Sequence, residues 1–240
     1  MRKFIDLNCD TTCDLGTGGG MPGLIIAIVM KNLEAHETIS KTILLAIQNN
    51  VKIGAHPSFH DIEGFGRRKF NLKSKELESI LLYQISSVKG MTESLGSKLN
   101  HVKPHGALYN MASKDLKIAE IIVKTIKKID SNLILYGPSM NKWKGLSESN
   151  GVRYLSEVFS DRNYNDDLSL VDRKLKDAMI TDPSLSLKHL KSMIDLGKVK
   201  TISGKLEEIE LETICIHGDQ PNALLFAKTI YNNLNSKGLI

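Results

Sequence analysis

The chain has 240 residues, of which 41% are hydrophobic and 25% are charged, and this length suits one large domain with a sizeable core. The 32 Lys and Arg residues outnumber the 27 Asp and Glu residues only slightly, and 5% of residues are aromatic, which argues against a nucleic-acid partner. The three cysteines do not make a disulfide framework, and no signal peptide or run of about 18 apolar residues is visible, so we expect a cytoplasmic protein without membrane contact.

Short apolar runs alternate with helical patterns along the whole chain. Strands are predicted at residues 3–9, 24–30, 51–55, 99–103, 133–136, 152–159 and 213–216. Helices are predicted at residues 38–49, 74–95, 116–129, 140–149, 184–196 and 221–235. The alternation predicts a parallel sheet with right-handed crossovers. Seven such units favour a (βα)7-type barrel, incomplete or distorted relative to a TIM barrel, as one α/β domain over residues 1–240.

Polar side chains end five of the predicted strands. The carboxyl ends of the strands in a parallel α/β barrel meet at one rim, where enzymes of this architecture place their active sites. Successive residues of a strand point to opposite faces, so the alternating polar residues of the first strand share one face. Carboxylates, imidazoles, a lysine and an arginine are therefore expected in one cleft. The residues concerned are Asp6, Asn8, Asp10, His56, Lys103, His105, Glu157, Asp161, Arg162, His217 and Asp219.

The segment VKPHG after the fourth strand is the most informative of these strand ends. Taken singly, Lys103 would be a surface lysine and His105 a loop histidine. Two residues apart after a strand, they point to the same side, and each shifts the pKa of the other, which suits proton transfer near neutral pH. His217 and Asp219 share this spacing, although Asp219 before Pro221 is also the pattern of a helix N-cap.

Other motifs are ambiguous or absent. Arg67 and Arg68 follow glycines in a polar loop and form either an anion site or a surface turn. The glycine-rich stretch before the second strand lacks the lysine of a P-loop, and the sequence has no dinucleotide-binding fingerprint, nucleophile elbow or zincin motif. Cys9 and Cys215 lie in apolar runs and are predicted to be buried and inert, while Cys9 with Cys13 is only a weak zinc signal.

Six segments of the sequence resemble the LamB/YcsF family, which supplies the A component of the bacterial ATP-dependent 5-oxoprolinase. The longest and most specific is HVKPHGALYN, and the others read IDLNCD, VKIGAHP, GFGRR, EVFSDR and ICIHGD. The resemblance covers residues 1–10 and about 36–240. It implies a seven-stranded barrel related to polysaccharide deacetylases and glycoside hydrolases. It also implies cleavage of 5-oxo-L-proline to L-glutamate coupled to ATP hydrolysis, with separately encoded partners, the B and C subunits of 5-oxoprolinase.

Residues 11–35 depart from the family pattern. The family continues with Gly-Glu after its first strand and ends its second strand with Asn-Ile-Ala-Cys-Gly-Phe/Tyr-His-Ala-Gly-Asp, whose Asn, His and Asp are absent here. The abrupt loss and the recovery at residue 36 suggest a reading-frame slip, a hypothesis that resequencing the gene tests, since an unchanged native frame would contradict it. The alternative is true divergence, which keeps an apolar second strand but removes rim residues.

The reaction that the resemblance implies suggests roles for the strand-end residues. ATP would phosphorylate the lactam oxygen before water opens the ring. This chemistry needs cations for the phosphate charge, a base for water and donors for the developing oxyanion. We expect Lys103 and Arg162 to stabilise charge, and His105 or His56 to act as the general base.

The remaining polar residues are expected to position these groups or to contact the substrate. The carboxylates expected to orient the catalytic groups or to hold a divalent ion are Asp6, Asp10 and Asp161. The residues expected to bind substrate are Asp6, Asn8, Arg67, Arg68, His217 and Asp219. The sequence has no P-loop, and this is compatible with the resemblance in two ways. This chain binds ATP through non-standard contacts, or the ATP site lies partly on a partner protein.

Two rival functions compete with this interpretation. The first is a metal-dependent amide hydrolase, in which Asp10, His56 and His105 bind magnesium or zinc and activate water. Stoichiometric bound metal would favour it. The second is a folded but catalytically impaired component, because residues 11–35 lack the family motif. The sequence also leaves a homo-oligomer open.

Overall fold

The structure is a computed structural model, and it describes residues 4–11, 24–28, 36–218 and 223–240. Three residues singled out above, Cys13, Asp219 and Pro221, lie outside the described residues, as does most of the segment that departs from the family pattern. Of residues 24–28 only the backbone is described.

Nine strands and seven helices make up the described chain. The strands are β1 (Asp6–Thr11), β2 (Leu24–Ile28), β3 (Lys52–Ala55), β4 (Leu99–Val102), β5 (Ile134–Pro138), β6 (Tyr154–Phe159), β7 (Lys198–Lys200), β8 (Leu206–Glu208) and β9 (Thr213–His217). The helices are α1 (His36–Gln48), α2 (Ser74–Ser94), α3 (Gly106–Ala112), α4 (Leu116–Ile129), α5 (Lys142–Ser149), α6 (Pro183–Leu196) and α7 (Ala223–Ser236). None of these helices has the length and apolar character to cross a membrane.

Seven parallel strands form a closed barrel in the order β1-β2-β3-β4-β5-β6-β9. Closure occurs because β9 pairs with β6 on one side and with β1 on the other. The predicted (βα)7-type barrel is therefore confirmed, and with seven strands its ring is complete. The short antiparallel hairpin of β7 and β8 lies outside the barrel and has no counterpart among the predicted strands.

The first strand is displaced toward higher residue numbers than its apolar pattern indicates. The pattern predicts residues 3–9, but the strand runs over Asp6–Thr11. The reason is pairing across the closure, where Asp6 lies opposite Thr213 and Asp10 lies opposite His217. Backbone pairing thus carries polar residues into the strand, and Asp10 lies inside the barrel wall rather than in a loop beyond it.

The helices pack on the outside of the barrel through apolar stripes. In α4 the buried residues Ala119, Ile122, Val123 and Ile126 recur at helical spacing, which places one face against the core. Asp115 caps this helix by accepting a hydrogen bond from the Lys117 backbone N–H, and this satisfies a donor that the first turn leaves unpaired. The predicted helix at residues 116–129 matches α4 at both ends.

Helix α3 is absent from the predicted helices, and it positions part of the barrel rim. It follows His105 directly and is only seven residues long, too short for a periodic pattern to be visible. Gly106 has a φ of 57°, and a Cβ added there would lie 2.6 Å from the Gly66 carbonyl oxygen. Only glycine fits such a close approach of two backbones, so the loops after β3 and β4 press against each other at this point.

Candidate active site

A cavity of about 550 Å³ opens at the carboxyl ends of the barrel strands, the rim where this architecture builds active sites. Residues from β1, β5, β6 and β9 and from the loops that follow the strands line it. The predicted site residues that reach this cavity are Asp10, His56, Arg67, Lys103, His105, Arg162 and His217. Asp6, Asn8, Arg68 and Asp161 do not line it, and Asp219 lies outside the described residues.

Lys103 lies at the bottom of the cavity with its ammonium group enclosed by acceptors. Its Nζ is 2.7 Å from Glu157 Oε1 and 2.8 Å from Asp10 Oδ1. It also lies 3.2 Å from Asn8 Oδ1 and 3.0 Å from Cys215 Sγ. The side chain is only 2% exposed, so this cation depends on its partners for the stabilisation that water would otherwise provide.

The charges around Lys103 are distributed unequally. Burial disfavours the charged form of Asp10, but His56 and Lys103 outweigh it and hold the pKa of Asp10 well below its ordinary value. Burial and the neighbouring Asp10 raise the pKa of Glu157, although Lys103 opposes the shift. For Lys103 itself, burial is outweighed by Asp10, Cys215 and Glu157, and its pKa rises well above the ordinary value. Lys103 and Asp10 therefore form a lasting ion pair at neutral pH.

Asn8 and Asp6 lie beneath the cavity and hold the network rather than face a substrate. Asn8 Nδ2 donates hydrogen bonds to Glu157 Oε1 at 3.0 Å and to Thr213 Oγ1 at 2.8 Å. Asp6 accepts a hydrogen bond from the Tyr136 hydroxyl at 3.2 Å. The shared face predicted for the first strand is thus the inside of the barrel, where these side chains meet partners from β5, β6 and β9.

His217 is paired with Asp161, a carboxylate that is itself buried. His217 Nδ1 lies 2.9 Å from both carboxylate oxygens of Asp161, and the His217 backbone N–H donates to the same group. Burial opposes the charged form, but His217 lowers the pKa of Asp161 below its ordinary value. Nδ1 therefore donates to Asp161, and Nε2 lies on the cavity side of the ring, 3.9 Å from Asp10 Oδ2.

His56 and His105 form an imidazole pair on the other side of Asp10. His105 Nδ1 lies 3.0 Å from His56 Nε2, and the two rings meet edge to face. His56 Nε2 is also 3.5 Å from Asp10 Oδ2. Burial, together with the nearby His56, lowers the pKa of His105 to about 3, so His105 is neutral at physiological pH.

The predicted arginines have three different environments. Arg162 lines the cavity, but its guanidinium donates to the backbone carbonyls of Val171 and Ala178, and it thereby holds the loop after β6. Arg68 donates to Asp61 through Nε at 2.8 Å and also through Nη2, so the surface-turn interpretation describes it. Arg67 lines the cavity, with its guanidinium over the Phe65 ring.

The mouth of the cavity carries basic side chains that the sequence does not single out. They come from the loop after β3, the end of α3 and the loop after β6, and they accompany two carboxylates, Asp167 and Asp172. We call the four basic residues at the mouth the basic rim: Lys69, Lys114, Arg173 and Lys174.

Two residues at the bottom of the cavity also differ from the sequence analysis, which gives no role to the strand-end residue Glu157 and predicts an inert Cys215. Both contact the Lys103 ammonium.

The described residues do not fit a resident metal ion. The set Asp10, His56 and His105, suggested from the sequence as ligands for magnesium or zinc, does not bring three ligand atoms within 4.8 Å of one another. Within the described ranges one group does so, formed by Asp10, Cys215 and His217. However, the Lys103 ammonium lies 2.8 Å from Asp10 and 3.0 Å from Cys215, so a cation already occupies this point.

A family model for LamB/YcsF matches residues 34–240. The chain belongs to the LamB/YcsF family. The match begins at the end of the segment that departs from the family pattern. Among curated relatives, the A component of 5-oxoprolinase from Histophilus somni is 40% identical, covering 99% of this chain and 98% of the relative. The corresponding 5-oxoprolinase component from Bordetella parapertussis is 36% identical, covering 100% of this chain and 98% of the relative.

Two solved structures match the barrel over almost the whole of this chain. The crystal structure of a lactam utilization protein from Thermus thermophilus matches with a TM-score of 0.85 and 30% identity, covering 98% of this chain and 97% of that chain. A putative cellobiose-phosphate cleavage protein from Enterococcus faecalis matches with a TM-score of 0.58 at 13% identity, covering 100% of this chain and 97% of that chain. At that identity the second match shows only a shared barrel architecture.

Proposed function

We propose that this LamB/YcsF chain is the A component of an ATP-dependent 5-oxoprolinase, which cleaves 5-oxo-L-proline to L-glutamate in a cytoplasmic complex with the B and C subunits. The observation that carries the proposal is the cavity that joins a buried Lys103–Asp10 ion pair to two histidine systems, in a chain 36–42% identical to proteins that bear the name of this 5-oxoprolinase component. The rival function, a metal-dependent amide hydrolase, needs a free set of metal ligands. The one such group among the described residues already contacts the Lys103 ammonium.

The reaction is balanced with one ATP and two waters for each lactam. The γ-phosphoryl group moves to the lactam oxygen as its bond to ADP breaks. The first water attacks the activated carbon, the ring C–N bond breaks, and the nitrogen leaves as the amine of an acyl phosphate. The second water releases phosphate and leaves the side-chain carboxylate of glutamate. Each step needs fixed charges or proton transfer at a defined place.

His217 is the general base in this proposal, in place of His56 or His105. Asp161 binds the Nδ1 side of His217, so that Nε2 is the nitrogen available to a water in the cavity. This arrangement of carboxylate, imidazole and reacting group is the one that activates nucleophiles in hydrolytic triads. An attacking water placed at Nε2 loses its proton there as its oxygen bonds to the activated carbon.

The basic rim supports a place for the nucleotide phosphates at the mouth of this cavity. Lys69, Lys114, Arg173 and Lys174 lie where a triphosphate would enter, and such cations stabilise phosphate charge. Lys103 is too enclosed to reach them, because it is tied to Asp10 and Glu157. Its ammonium instead holds Asp10 and Glu157 in place at the bottom of the cavity.

The test is glutamate release from 5-oxo-L-proline by this chain mixed with its two partner subunits, with and without ATP. We expect release that depends on ATP. Replacing His217 with Gln should lower turnover by about 10²–10⁴-fold, since that is the usual contribution of a general base, with unchanged far-UV circular dichroism. The matched control is His60→Gln, an exposed histidine, which should keep full turnover.

A second sample carries the family-type second strand in place of residues 11–35. Release by both samples supports the proposal and makes the natural segment dispensable. Release only by the restored sample means that the barrel is competent and this chain is the impaired family member. Absence of release from both samples, with all three proteins folded, contradicts the proposed function.

A further inference from the structure

Arg162 is a buried cation that neutral groups hold in place. Its exposed fraction is 5%. Its Nη2 donates to the Val171 carbonyl oxygen at 2.6 Å, and its Nε donates to the Ala178 carbonyl oxygen at 3.4 Å. Among the residues that the structure describes, no carboxylate forms an ion pair with this guanidinium. A buried charge without an opposite charge keeps much of its desolvation cost.

The carboxylate next to Arg162 in the chain is committed to another partner. Both oxygens of Asp161 lie 2.9 Å from His217 Nδ1. Burial and the nearby guanidinium of Arg173 lower the pKa of Arg162 to about 10, although Asp161 opposes the shift. The fixed charges around Arg162 therefore compensate its positive charge only in part.

One side of the Arg162 guanidinium is open to the cavity. Nε and Nη2 bind the two carbonyls, which leaves Nη1 with its two N–H donors. In the described part of the chain Nη1 has no hydrogen-bond partner, and protein atoms do not enclose it. Since Arg162 lines the cavity, an anion that enters can accept from a guanidinium whose position two backbone bonds already fix.

The depth of Arg162 favours a small anion over a chain of phosphates. A triphosphate carries several charges and is bound by several cations together. The basic rim offers four such cations at the mouth of the cavity, where they are at least partly exposed. Arg162 offers one open nitrogen at a buried position, which suits a single carboxylate.

The bottom of the cavity does not suit a carboxylate. Asp10 and Glu157 share the Lys103 ammonium there, and the Asp10 side chain is 11% exposed. A carboxylate placed beside Asp10 would meet a like charge. Lys103 cannot serve as the anchor either, because its side chain is only 2% exposed and its acceptors enclose it.

A second arginine, Arg67, also reaches the cavity but from an exposed position. Its guanidinium lies over the Phe65 ring, 4.9 Å from the centroid. Water screens a charge at such a position, so it distinguishes charged from neutral ligands less well than a buried guanidinium does. Of the arginines that line the cavity, Arg162 is thus the better anchor for a carboxylate.

We propose that Arg162 binds the α-carboxylate of 5-oxo-L-proline through Nη1 and thereby makes the site specific for lactams that carry this charge. The assignment rests on the proposed 5-oxoprolinase function, because that function names the lactam. In this molecule the carbon that carries the carboxylate and the carbonyl carbon are the two neighbours of the ring nitrogen. Anchoring the carboxylate therefore restricts where the carbonyl carbon can lie relative to His217, which Asp161 holds on the cavity wall.

The decisive experiment compares 5-oxo-L-proline with 5-oxo-L-prolinamide, which keeps the ring and removes the charge. Isothermal titration calorimetry on the full chain measures both dissociation constants. We expect the acid to bind about 10–100-fold more tightly than the amide, the usual range for a hydrogen bond to a charged group. Equal affinity for the two ligands, or no binding of the acid, overturns the proposal.

Substitutions then assign the preference to one arginine. Arg162→Gln should bring the ratio of the two dissociation constants close to one, and Arg162→Lys, which keeps the charge, should retain part of the preference. Loss of the loop contacts alone would weaken both ligands equally and leave the ratio unchanged. The matched control is Arg153→Gln, an exposed arginine away from the cavity, which should keep the full ratio. A folded Arg162→Gln chain with the full preference overturns the proposal, as does loss of the preference in Arg67→Gln alone.

These binding constants need neither ATP nor partner proteins, so they are decided separately from glutamate release. A preference that depends on Arg162, in a chain whose complex releases no glutamate, contradicts only the proposed function. Glutamate release with equal affinities for acid and amide contradicts only the role of Arg162. If Arg162→Gln weakens the binding of ADP and leaves the acid-to-amide ratio intact, the guanidinium serves a nucleotide phosphate and the carboxylate assignment is wrong.

Discussion

The two halves of the barrel interior are built on opposite principles. In the upper half, Lys103 is surrounded by two carboxylates, an amide oxygen and a thiol at 2.7–3.2 Å. In the lower half, His101 is fully buried and stacked on Tyr136 with ring centroids 4.3 Å apart. Neither ring nitrogen of His101 has a hydrogen-bond partner among the described residues.

This difference shows which buried groups the barrel must compensate. A lysine that keeps its charge in the interior needs opposite charges and acceptors around it. A histidine can lose its proton instead, and burial with the charge of Lys103 lowers the pKa of His101 to about 3. The upper half thus retains charge where chemistry is proposed, and the lower half contains a neutral aromatic layer that supports it.

The largest expected effect comes from removing the cation of the upper half. Lys103→Met removes the ammonium shared by Asp10 and Glu157, and breaking a buried pair in this way costs about 3–5 kcal/mol of unfolding free energy. Turnover of the complex should also be lost. The measurements are urea unfolding of the chain and glutamate release by the complex.

The matched control for this change is Lys124→Met. Lys124 pairs with Glu120 on the surface of α4, and its side chain is 63% exposed. An exposed pair of this kind contributes little, so unfolding free energy should change by less than about 0.5 kcal/mol. Equal changes in unfolding free energy for the two substitutions would show that the buried network around Lys103 does not stabilise the barrel.

A smaller effect is expected from filling the space beside His101. A Cβ added at Gly54 would lie 2.1 Å from His101 Nε2, so Gly54→Ala should destabilise the chain by about 1–3 kcal/mol through overpacking. Gly90 in α2 has open space around it, and Gly90→Ala should instead stabilise by about 0.4–1 kcal/mol. Thermal unfolding of both variants measures the difference, and a neutral Gly54→Ala would contradict the tight lower layer.

The smallest effect at neutral pH is expected from His101→Phe, which keeps an aromatic ring against Tyr136. The folded-state pKa of His101 is about 3, below the unfolded value of about 6.5. Its contribution to stability is therefore complete above pH 6.5 and is lost as pH falls toward 3, by about 1.4 kcal/mol for each pH unit. Between pH 7.5 and pH 5, the unfolding free energy of the variant should rise relative to that of the unchanged chain. An equal difference between the two proteins at both pH values would contradict the prediction.

Much of the fold could be predicted because its elements are long or strongly patterned. The seven barrel strands and the α4 helix follow from apolar runs and a helical stripe. Helix α3 and the β7–β8 hairpin could not be predicted, since elements of seven and three residues show no periodicity. The order of the ring follows from the alternation of strands and helices, but its closure between β1 and β9 depends on tertiary pairing.

The site could be predicted only as a set of residues. Strand ends identify Lys103, His105 and His217, because a parallel barrel brings those ends together. Their roles depend on partners from distant strands: Asp161 binds the Nδ1 side of His217, and Glu157 completes the enclosure of Lys103. Arg68 is equivalent to Arg67 in the sequence pattern, yet its contact with Asp61 directs it away from the cavity.

Closure of the ring by β9 has a consequence for how the chain is made. Asn8 and Thr213, which meet across this seam, are separated by 205 positions, and contacts so distant in sequence form late and slowly during folding. Strand β9 also brings Cys215 and His217 to the cavity. A nascent chain that has formed its first six strands therefore holds Lys103 without Cys215 and lacks His217, the proposed base. We therefore expect activity to arise only after synthesis has passed β9, so that chains ending before this strand are inert.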